Sequence, residues 1–462
     1  METAIRFEKT AGKNRMRGAH GFAFAGLFAF TLLLYARPNE LFPEAFGTFP
    51  IIKIVAIATL LSYASSKLLH GEPLTIWPIE MKMLLAITVL GIIFIPVAVS
   101  PGESTDLLTD MFLKVVAIFT LMINLIDTRE RLRSMLKLVV ICGTVLSFFA
   151  IIDYLQGNHG LGQMGSEAGG RVTGIVGGIF ENPNDLATSL DLLIPFAVAL
   201  ALTHKGLARA AYFACAAVLA MGVIITFSRG GFLGLVAMAG MLLWKVGRSN
   251  KAATALAIMI VVMVFLIAMP VGYSSRITSI FDTASDPTGS AQARKDLLER
   301  AASVAANHLV IGVGMGNYSI YSIHEQQAHN SFLEISAELG VAGLVAYLIM
   351  LFAPLRSLRR IEQESLAGLR RGRREIYFLV AAVQASLVAY IVCSCFGSIQ
   401  YHWFLYYPLA YAIALRRICA SEGGEPQTVE PRQRVRAVLW KKHQENRGLL
   451  IGDGKETRFG NR

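Results

Sequence analysis

The sequence predicts an all-α polytopic membrane protein with about twelve transmembrane helices. Of its 462 residues, 54% are hydrophobic and only 16% are charged, whereas a soluble domain has roughly 25% charged residues. The mean hydropathy is +0.52. Apolar runs close to the ~20 residues that a transmembrane helix requires recur along the chain, with polar loops between them.

The predicted spans fill a transmembrane domain that extends from residue 20 to residue 416. In order along the chain, they cover residues 20–36, 50–66, 83–100, 107–126, 136–156, 185–203, 209–227, 230–246, 252–272, 332–353, 376–397 and 401–416. A basic segment, residues 1–19, precedes this domain. Residues 417–462 are polar and rich in charge, and we expect them to form a basic, disordered tail.

The distribution of lysine and arginine predicts how the spans are oriented. Basic residues concentrate in alternate loops and near both ends of the chain, at 129–137, 205–209, 245–251, 356–374 and 416–417. By the positive-inside rule, these loops and both termini are cytoplasmic. The neutral or acidic loops at 38–50 and 101–106 then lie outside, as do two longer polar segments, 157–185 and 273–330. Polar segments of this length are expected to carry function.

Charge and cysteine usage exclude several classes of protein. The net charge is +11, but the basic residues lie in loops and do not form a stripe interleaved with aromatic residues, so nucleic-acid binding is not predicted. Cys142, Cys215, Cys393 and Cys395 lie in apolar runs and Cys419 lies in the tail, a pattern that indicates neither a disulfide framework nor a zinc site.

Two motifs in the first outer segment are candidates for a site. Arg171 lies in the stretch GGRVTG, where backbone N–H groups and a guanidinium can surround an anion; an arginine that reaches lipid phosphate at the interface is an equally good interpretation. The stretch ENPND follows at 181–185. Asn182 fits a helix N-cap and Pro183 the first helical position. Capping explains most of this motif, and Asn184 remains a supporting candidate.

A third motif, TFSRGG at 226–231, joins two apolar runs with almost no loop between them. Arg229 lies at this junction. An arginine between two spans is costly unless it reaches a cavity, a partner or the interface, so a functional role and an anchoring role are both open. Gly230 and Gly231 are predicted to permit the sharp reversal of the chain.

The second outer segment contains the pattern of an amphipathic helix from residue 290 to about 309. Arg294 falls on the apolar face of this helix, and we therefore expect it to point towards the bundle or the lipid headgroups. The apolar face comprises Leu297, Leu298, Ala301, Val304 and Ala305, and the polar face carries Lys295, Asp296 and Glu299.

The second outer segment ends in a flexible turn, GVGMGNY at 312–318, followed by His329 and Asn330 at the start of the next span. Within that span, Glu334 and Glu338 are four residues apart and share one face. A lone histidine at the mouth of a helix is usually structural. Three arginines on the same side of the membrane favour a functional role for His329.

In this order, the motifs resemble those of the O-antigen ligase and polymerase superfamily, whose members act on polyprenyl-linked glycans. The matching stretches are 179–185, 226–231, Arg294 with 311–318, and 329–340. The twelve-span layout is also similar to that of the superfamily and to a GT-C-like ligase fold.

The resemblance implies an inverting, metal-independent glycosyl transfer at the outer face of a bacterial inner membrane. The donor would be a glycan on undecaprenyl pyrophosphate, and the acceptor a hydroxyl of the lipid A core, of another glycan or of a protein. No cofactor is expected. His329 corresponds to the catalytic histidine, Arg229, Arg294 and Arg171 to the pyrophosphate-binding arginines, and Asn184, Gly314, Asn330 and Glu334 to supporting residues.

The chemistry of these side chains agrees with that role. A departing pyrophosphate concentrates negative charge, which fixed guanidinium groups stabilise strongly. A neutral imidazole can accept the proton of an attacking hydroxyl, the general-base role hypothesised for His329.

Two other interpretations of the sequence are open. Twelve spans and outer arginines also fit a transporter of a small anion, although transporter sites usually lie near the bilayer midplane on broken helices. The second is a catalytically silent assembly scaffold, in which the arginines and the histidine would have no function.

Overall fold

The computed structural model describes residues 20–42, 44, 47, 49–156, 180, 182–247, 290–367 and 373–423. Within these ranges all regular secondary structure is helical. Eight described helices are long and apolar enough to cross a membrane, and Gly21–Ala36 is apolar but shorter. The prediction of a multi-pass, all-α membrane protein is confirmed. Eight is fewer than the predicted twelve, and the predicted span 252–272 lies outside the described residues.

The described helices are numbered in chain order. They are α1 Gly21–Ala36, α2 Pro38–Leu41, α3 Ile51–Leu69, α4 Ile79–Phe94, α5 Pro101–Asp106, α6 Leu113–Leu125, α7 Arg129–Leu155, α8 Pro183–Thr203, α9 Gly206–Ile225, α10 Arg229–Gly247, α11 Ser290–Asn307, α12 Tyr318–Tyr321, α13 Ser331–Ala367, α14 Arg374–Ser394 and α15 Tyr406–Gly423. A π-helical turn, Leu107–Phe112, joins α5 to α6. The prediction of a loop at 101–106 is therefore wrong, because these residues begin the helical run that continues to residue 125.

Helices α8 and α14 form the centre of the bundle. In each of them, 83% of the residues in the most apolar stretch are buried, the highest share among the eight described helices of membrane length. Both pack against α10 as well as against each other. A Cβ at Gly234 of α10 would lie 2.5 Å from Cys393 Sγ and 2.8 Å from Asp191 Oδ2, so the absence of a side chain there allows the three helices to approach closely.

Charged side chains pair at the end of the bundle that carries the basic loops. Arg416 Nη2 lies 2.7 Å from both carboxylate oxygens of Glu80, which is fully buried. Lys245 Nζ donates to Glu362 Oε2 at 2.5 Å, and both side chains are almost inaccessible. Each charge needs its partner, because a buried ion left alone is strongly destabilising. Lys245, Glu362 and Arg416 lie in segments that the charge pattern predicts to be on one side of the membrane.

The helices near the carboxyl end differ from the predicted spans. Helix α13 continues to Ala367, beyond the predicted end at 353, and is interrupted at Gly340, where φ is 65°. Helix α14 stops at Ser394 and α15 starts at Tyr406, so the predicted spans 376–397 and 401–416 need correction. Residues 395–405 form a separate stretch with one short 3-10 turn, here called the connecting segment. Helix α15 continues to Gly423, past the predicted start of the tail.

The glycine-rich turn and the residues just before it hydrogen-bond to the backbone where α13 is interrupted. The N–H of Val341 donates to the carbonyl of Leu309 at 2.8 Å, and the carbonyl of Glu338 accepts from the N–H of Gly314 at 3.1 Å. The carbonyl of residue 337 accepts from the N–H of residue 313 at 2.9 Å. The turn thereby satisfies backbone groups that the break in the helix would leave without partners.

We expect Gly312→Ala to destabilise the protein. A Cβ at Gly312 would lie 2.0 Å from the carbonyl oxygen of Glu338 and 2.2 Å from its carbon, and a backbone clash cannot be relieved by rotating a side chain. The expected loss is at least about 2 kcal/mol, measured as a lower temperature of unfolding in detergent. Gly240→Ala is the control, because nothing lies within 4 Å of its Cβ. Equal unfolding temperatures for the two variants would contradict the packing described here.

Candidate functional site

Asn330 and Ser331 attach the start of α13 to the connecting segment. Asn330 Nδ2 donates to the carbonyl of Cys395 at 3.3 Å. The Ser331 hydroxyl donates to the carbonyl of Gly397 at 2.7 Å and accepts from the N–H of Ile399 at 2.9 Å. Asn330 Oδ1 also accepts from the N–H groups two and three residues later, both at 3.0 Å. It is therefore the N-cap of α13.

Glu334 binds the same segment one turn farther along α13. Its side chain is buried, and its carboxylate accepts from the N–H of Ala328 at 3.0 Å, from Gln400 Nε2 at 2.9 Å and from the Ser398 hydroxyl. A buried carboxylate requires such donors, because its desolvation is otherwise unfavourable. Glu334, predicted to be a supporting residue, holds the residue before His329.

His329 lies between these two anchors, with a φ of 51°. Among residues other than glycine, histidine and asparagine adopt this left-handed conformation comparatively often. Glu334 holds the backbone on one side of His329, and Asn330 caps the helix on the other. The backbone that carries the imidazole is therefore fixed on both sides.

The TFSRGG junction at 226–231, here called the Arg229 corner, is hydrogen-bonded to the ENPND motif. Ser228 caps α10, because its Oγ accepts from the N–H of Gly231 at 3.2 Å. The same hydroxyl donates to Asn184 Oδ1 at 2.8 Å. Asn182 in turn caps α8 by accepting from the N–H of Asn184 at 2.9 Å, as predicted. Two motifs that are more than 40 residues apart in sequence are thus joined directly before Arg229.

The reversal at this corner is not made by the glycines, and that prediction is wrong. The residue with positive φ is Phe227, at 52°, whereas Gly230 and Gly231 lie in the first turn of α10. They are required for packing: a Cβ at Gly230 would lie 2.9 Å from the Cβ of Phe396, and one at Gly231 would lie 2.5 Å from the Cβ of Ala187.

The connecting segment brings the Arg229 and His329 motifs to one end of the bundle. Gly230, next to Arg229, packs against Phe396. The preceding residue, Cys395, accepts the hydrogen bond from Asn330, next to His329. The two motifs therefore contact adjacent residues of one short stretch of chain.

The glycine-rich turn, predicted to be flexible, is bonded to the start of α5. Asn317 Oδ1 accepts from the N–H of Ser100 at 2.7 Å, and Asn317 Nδ2 donates to Ser104 Oγ at 2.8 Å. Gly314 has a φ of 98°, and a Cβ there would lie 2.6 Å from the Cβ of Ala98. The role of Gly314 is thus to allow this close approach.

Helix α11 has the amphipathic pattern that the sequence predicts. Its apolar face packs against α13 and the glycine-rich turn, and its polar face is exposed. Arg294 lies near the start of α11, three residues before the buried Leu297, a spacing that puts the two positions on the same face of a helix. The residues buried on that face are Leu297, Ala301, Val304 and Ala305, with Leu298 partly buried. Arg171 lies outside the described residues.

A cavity of about 270 Å³ lies between α5, the glycine-rich turn, α13 and the connecting segment. Three carboxylates line it, and Tyr401 donates its hydroxyl to Glu338 Oε2 at 2.6 Å. The polar lining residues include Glu103, Glu334, Glu338, Ser398, Gln400, Tyr401 and His402. Within the ranges that the structure describes, no three His, Cys, Asp or Glu side chains are grouped as metal ligands.

His402 in this cavity wall is neutral at pH 7. Burial lowers its pKa from the ordinary 6.5 to about 4. Its Nδ1 lies 3.9 Å from Asp185 Oδ1, too far for a hydrogen bond. An imidazole in this state offers one donor and one acceptor nitrogen.

Sequence reasoning did not identify the polar residues of the connecting segment. Ser398, Gln400, Tyr401 and His402 fall in or beside the two predicted spans that end the transmembrane domain. The signal that could have found them is the run SIQYH, which places polar groups between two apolar stretches. Polar residues at such a position in a membrane protein are by default a candidate for function.

Comparison with known proteins identifies a family for part of the chain. Residues 214–348 match a family model described as O-Antigen ligase. The match includes Arg229, Arg294, Gly314 and the 329–334 stretch, and it confirms the resemblance to the O-antigen ligase superfamily. It indicates a membrane glycan ligase or polymerase that takes a lipid-linked glycan.

The other comparisons are more distant. No curated protein gives a significant match to the chain. Among solved structures, the chain is similar to one from work on the structural coordination of polymerization and crosslinking by a peptidoglycan synthase complex. The identity is 16% and the TM-score 0.39, with 75% of this chain and 98% of that chain covered.

We expect His402 to make the folded protein less stable at low pH. The unfolded chain binds a proton at His402 below about pH 6.5, while the folded protein does so only near pH 4, so stability is present above pH 6.5 and falls between pH 6.5 and 4. The full effect is on the order of 3 kcal/mol. In detergent, the unfolding temperature of the wild type should fall relative to that of His402→Gln as the pH is lowered from 7.5 to 4.5. Parallel curves would refute the assignment.

Proposed function

Because residues 214–348 match the O-Antigen ligase family, we propose that this chain transfers a glycan from a polyprenyl pyrophosphate to an acceptor hydroxyl. The observation that carries the proposal is the attachment of the Arg229 and His329 motifs to adjacent residues of the connecting segment. Residues distant in sequence meet at one end of the bundle, as a reaction centre requires. The same convergence supports an enzyme over a transporter of small anions.

In the proposed reaction, His329 acts as the general base. The acceptor oxygen attacks the anomeric carbon, and the new C–O bond forms while the bond from that carbon to the pyrophosphate oxygen breaks. The configuration inverts, the acceptor proton passes to the imidazole and then to water, and polyprenyl pyrophosphate leaves with the electron pair. A backbone held on both sides of His329 supports this role, because general-base catalysis depends on position.

Arginines are the proposed partners of the leaving group. Arg229 begins α10 at a corner held by the bond between Ser228 and Asn184, and Arg294 lies near the start of α11, at a position that the sequence predicts on its apolar face. Arg171 is the third proposed partner. Guanidinium groups bind phosphate oxygens in a bidentate manner, and fixed cations stabilise the developing charge without reorganisation. No cofactor enters the proposed reaction.

The proposed setting is the inner membrane of a bacterium. The charged pairs at one end of the bundle and the converging motifs at the other support the orientation expected from the loops, with the site on the periplasmic side and both termini cytoplasmic. The donor would be carried by undecaprenyl pyrophosphate, and the acceptor would be the lipid A core, a glycan or a protein.

We expect His329→Asn to reduce glycan transfer by about 10²–10⁴-fold, the usual contribution of a general base. Asparagine tolerates the positive φ of His329 and cannot accept the proton, whereas alanine would add backbone strain. The assay uses purified protein in proteoliposomes with a polyprenyl-pyrophosphate-linked oligosaccharide, a panel of acceptors and EDTA.

The matched control is His324→Asn, because His324 is exposed and has nearly the same φ, 52°. Transfer should be unchanged in this variant. Full activity of His329→Asn would refute the general-base role, and solute flux without transfer in the wild type would favour a transporter. Loss of wild-type activity with EDTA would refute the metal-independent reaction.

We expect Arg294→Gln to lower kcat/KM for the donor by about 10²–10³-fold, a loss typical of one transition-state donor. Lys295→Gln provides the control on the same helix, because the Lys295 side chain is 67% exposed on the polar face. Both variants lose one positive charge, so a general loss of attraction for the anionic donor affects them equally. Equal rates for the two variants would exclude a specific role for Arg294.

A further inference from the structure

The cavity has features that the proposed reaction does not use. Neither Arg229 nor His329 lines it. Two of its carboxylates, Glu334 and Glu338, are almost completely buried, and Glu103 lies exposed at the other side. Glu334 is held by its bonds to Ala328, Gln400 and Ser398. The burial of a second carboxyl group, that of Glu338, at the cavity wall is not explained by these bonds.

Gln400 gives the first independent indication of a ligand. It is 2% exposed and lines the cavity. Its Nε2 donates to Glu334 Oε1 at 2.9 Å. The amide oxygen of Gln400, Oε1, is buried and has no hydrogen-bond partner. Buried amide oxygens are rarely left unsatisfied, so this acceptor calls for a donor from a ligand.

His402, which also lines the cavity, carries a second unsatisfied atom. Its Nδ1 is buried and has no hydrogen-bond partner. A hydroxyl group suits all of these atoms, because it donates to an amide oxygen or a carboxylate and either donates to or accepts from an imidazole nitrogen.

The lining also has an apolar and aromatic part. Leu107 and Met111 are four residues apart in the π-helical turn Leu107–Phe112, and they face a cavity that Tyr318 and Tyr401 also line. A site that combines a few polar groups with apolar surface suits a sugar ring, which carries hydroxyls at its edge and C–H groups on its faces. A volume of about 270 Å³ lies just below the ~300 Å³ of the smallest drug-sized pockets, so one ring fits and an oligosaccharide does not.

The lining does not favour the pyrophosphate as the occupant. Three carboxyl groups and no lysine or arginine line the cavity among the residues that the structure describes. No cation there would pair with phosphate oxygens, whereas carboxyl and amide groups suit a neutral partner. Because Glu334 also holds the residue before His329, a ring in the cavity lies beside the chain that carries the proposed base.

We propose that this cavity binds one uncharged, hydroxyl-rich sugar residue of a substrate, through Gln400, Glu338 and His402. The assignment to a substrate rests on the proposed function, whereas the binding of a sugar does not. The residue could belong to the acceptor or to the donor glycan, and both present the same hydroxyl chemistry.

The binding experiment is independent of turnover. Saturation-transfer difference NMR on the detergent-solubilised full chain would use methyl glucoside, methyl galactoside and methyl N-acetylglucosaminide as neutral probes, with methyl glucuronide as the anionic one. Ser319→Phe places a bulky ring in the cavity wall, while Ile320→Phe changes the next residue, which is not part of the lining. Unfolding temperatures establish that both variants fold.

We expect a saturation-transfer signal from at least one neutral glycoside bound to the wild type. Binding should be at least tenfold weaker in Ser319→Phe and equal to that of the wild type in Ile320→Phe. The anionic probe should bind more weakly than the neutral ones. Absence of binding by every neutral probe, or equal binding by the two variants, would overturn the proposal.

Kinetics in proteoliposomes then separate the two sources of the sugar. A raised KM for the acceptor in Ser319→Phe and Glu103→Gln, with the KM for the donor unchanged, assigns the cavity to the acceptor. The reverse pattern assigns it to the donor. Unchanged values for both would overturn the assignment to a substrate. Sugar binding in NMR without any glycan transfer would refute the proposed function and leave the sugar site intact.

Discussion

The buried Glu334 carboxylate is the interaction on which the site depends. A carboxylate removed from water must receive hydrogen bonds, and here they come from the N–H of Ala328, from Gln400 and from Ser398. One side chain on α13 therefore fixes both the approach to His329 and the connecting segment. Because that segment also contacts Gly230 through Phe396, the position of the Arg229 corner follows from the same set of bonds.

Much of this architecture follows from local rules. Composition and the length of the apolar runs predicted the multi-pass helical fold, the ENPND motif predicted the cap of α8 by Asn182, and helical periodicity predicted the buried face of α11. These features depend on residues close together in sequence, so their pattern carries the information. The order of the motifs also predicted the family that residues 214–348 match.

Features determined by distant residues could not be predicted in the same way. The connecting segment is rich in aromatic residues, so its composition predicts that it belongs to the spans. In the structure, the Ser331 hydroxyl hydrogen-bonds to the carbonyl of Gly397 and the N–H of Ile399, so neither group makes a helical backbone hydrogen bond there. The interruption at Gly340 is stable because the glycine-rich turn supplies the missing hydrogen bonds. The reversal at Phe227 required a positive φ that its residue type does not indicate. In each case a tertiary bond overrides local propensity.

The distribution of charge divides the proposed site into two regions. Its cations would come from Arg229, Arg294 and Arg171, whereas the cavity beside the chain before His329 is lined by carboxylates. A glycan on a pyrophosphate carrier has one strongly anionic end and otherwise carries hydroxyls. The two regions would hold the pyrophosphate among the arginines and leave the cavity, whose described lining has no cation, to a neutral ring. Selection between the two parts of a substrate would then depend on charge as well as shape, because only the arginines can pair with the phosphate oxygens.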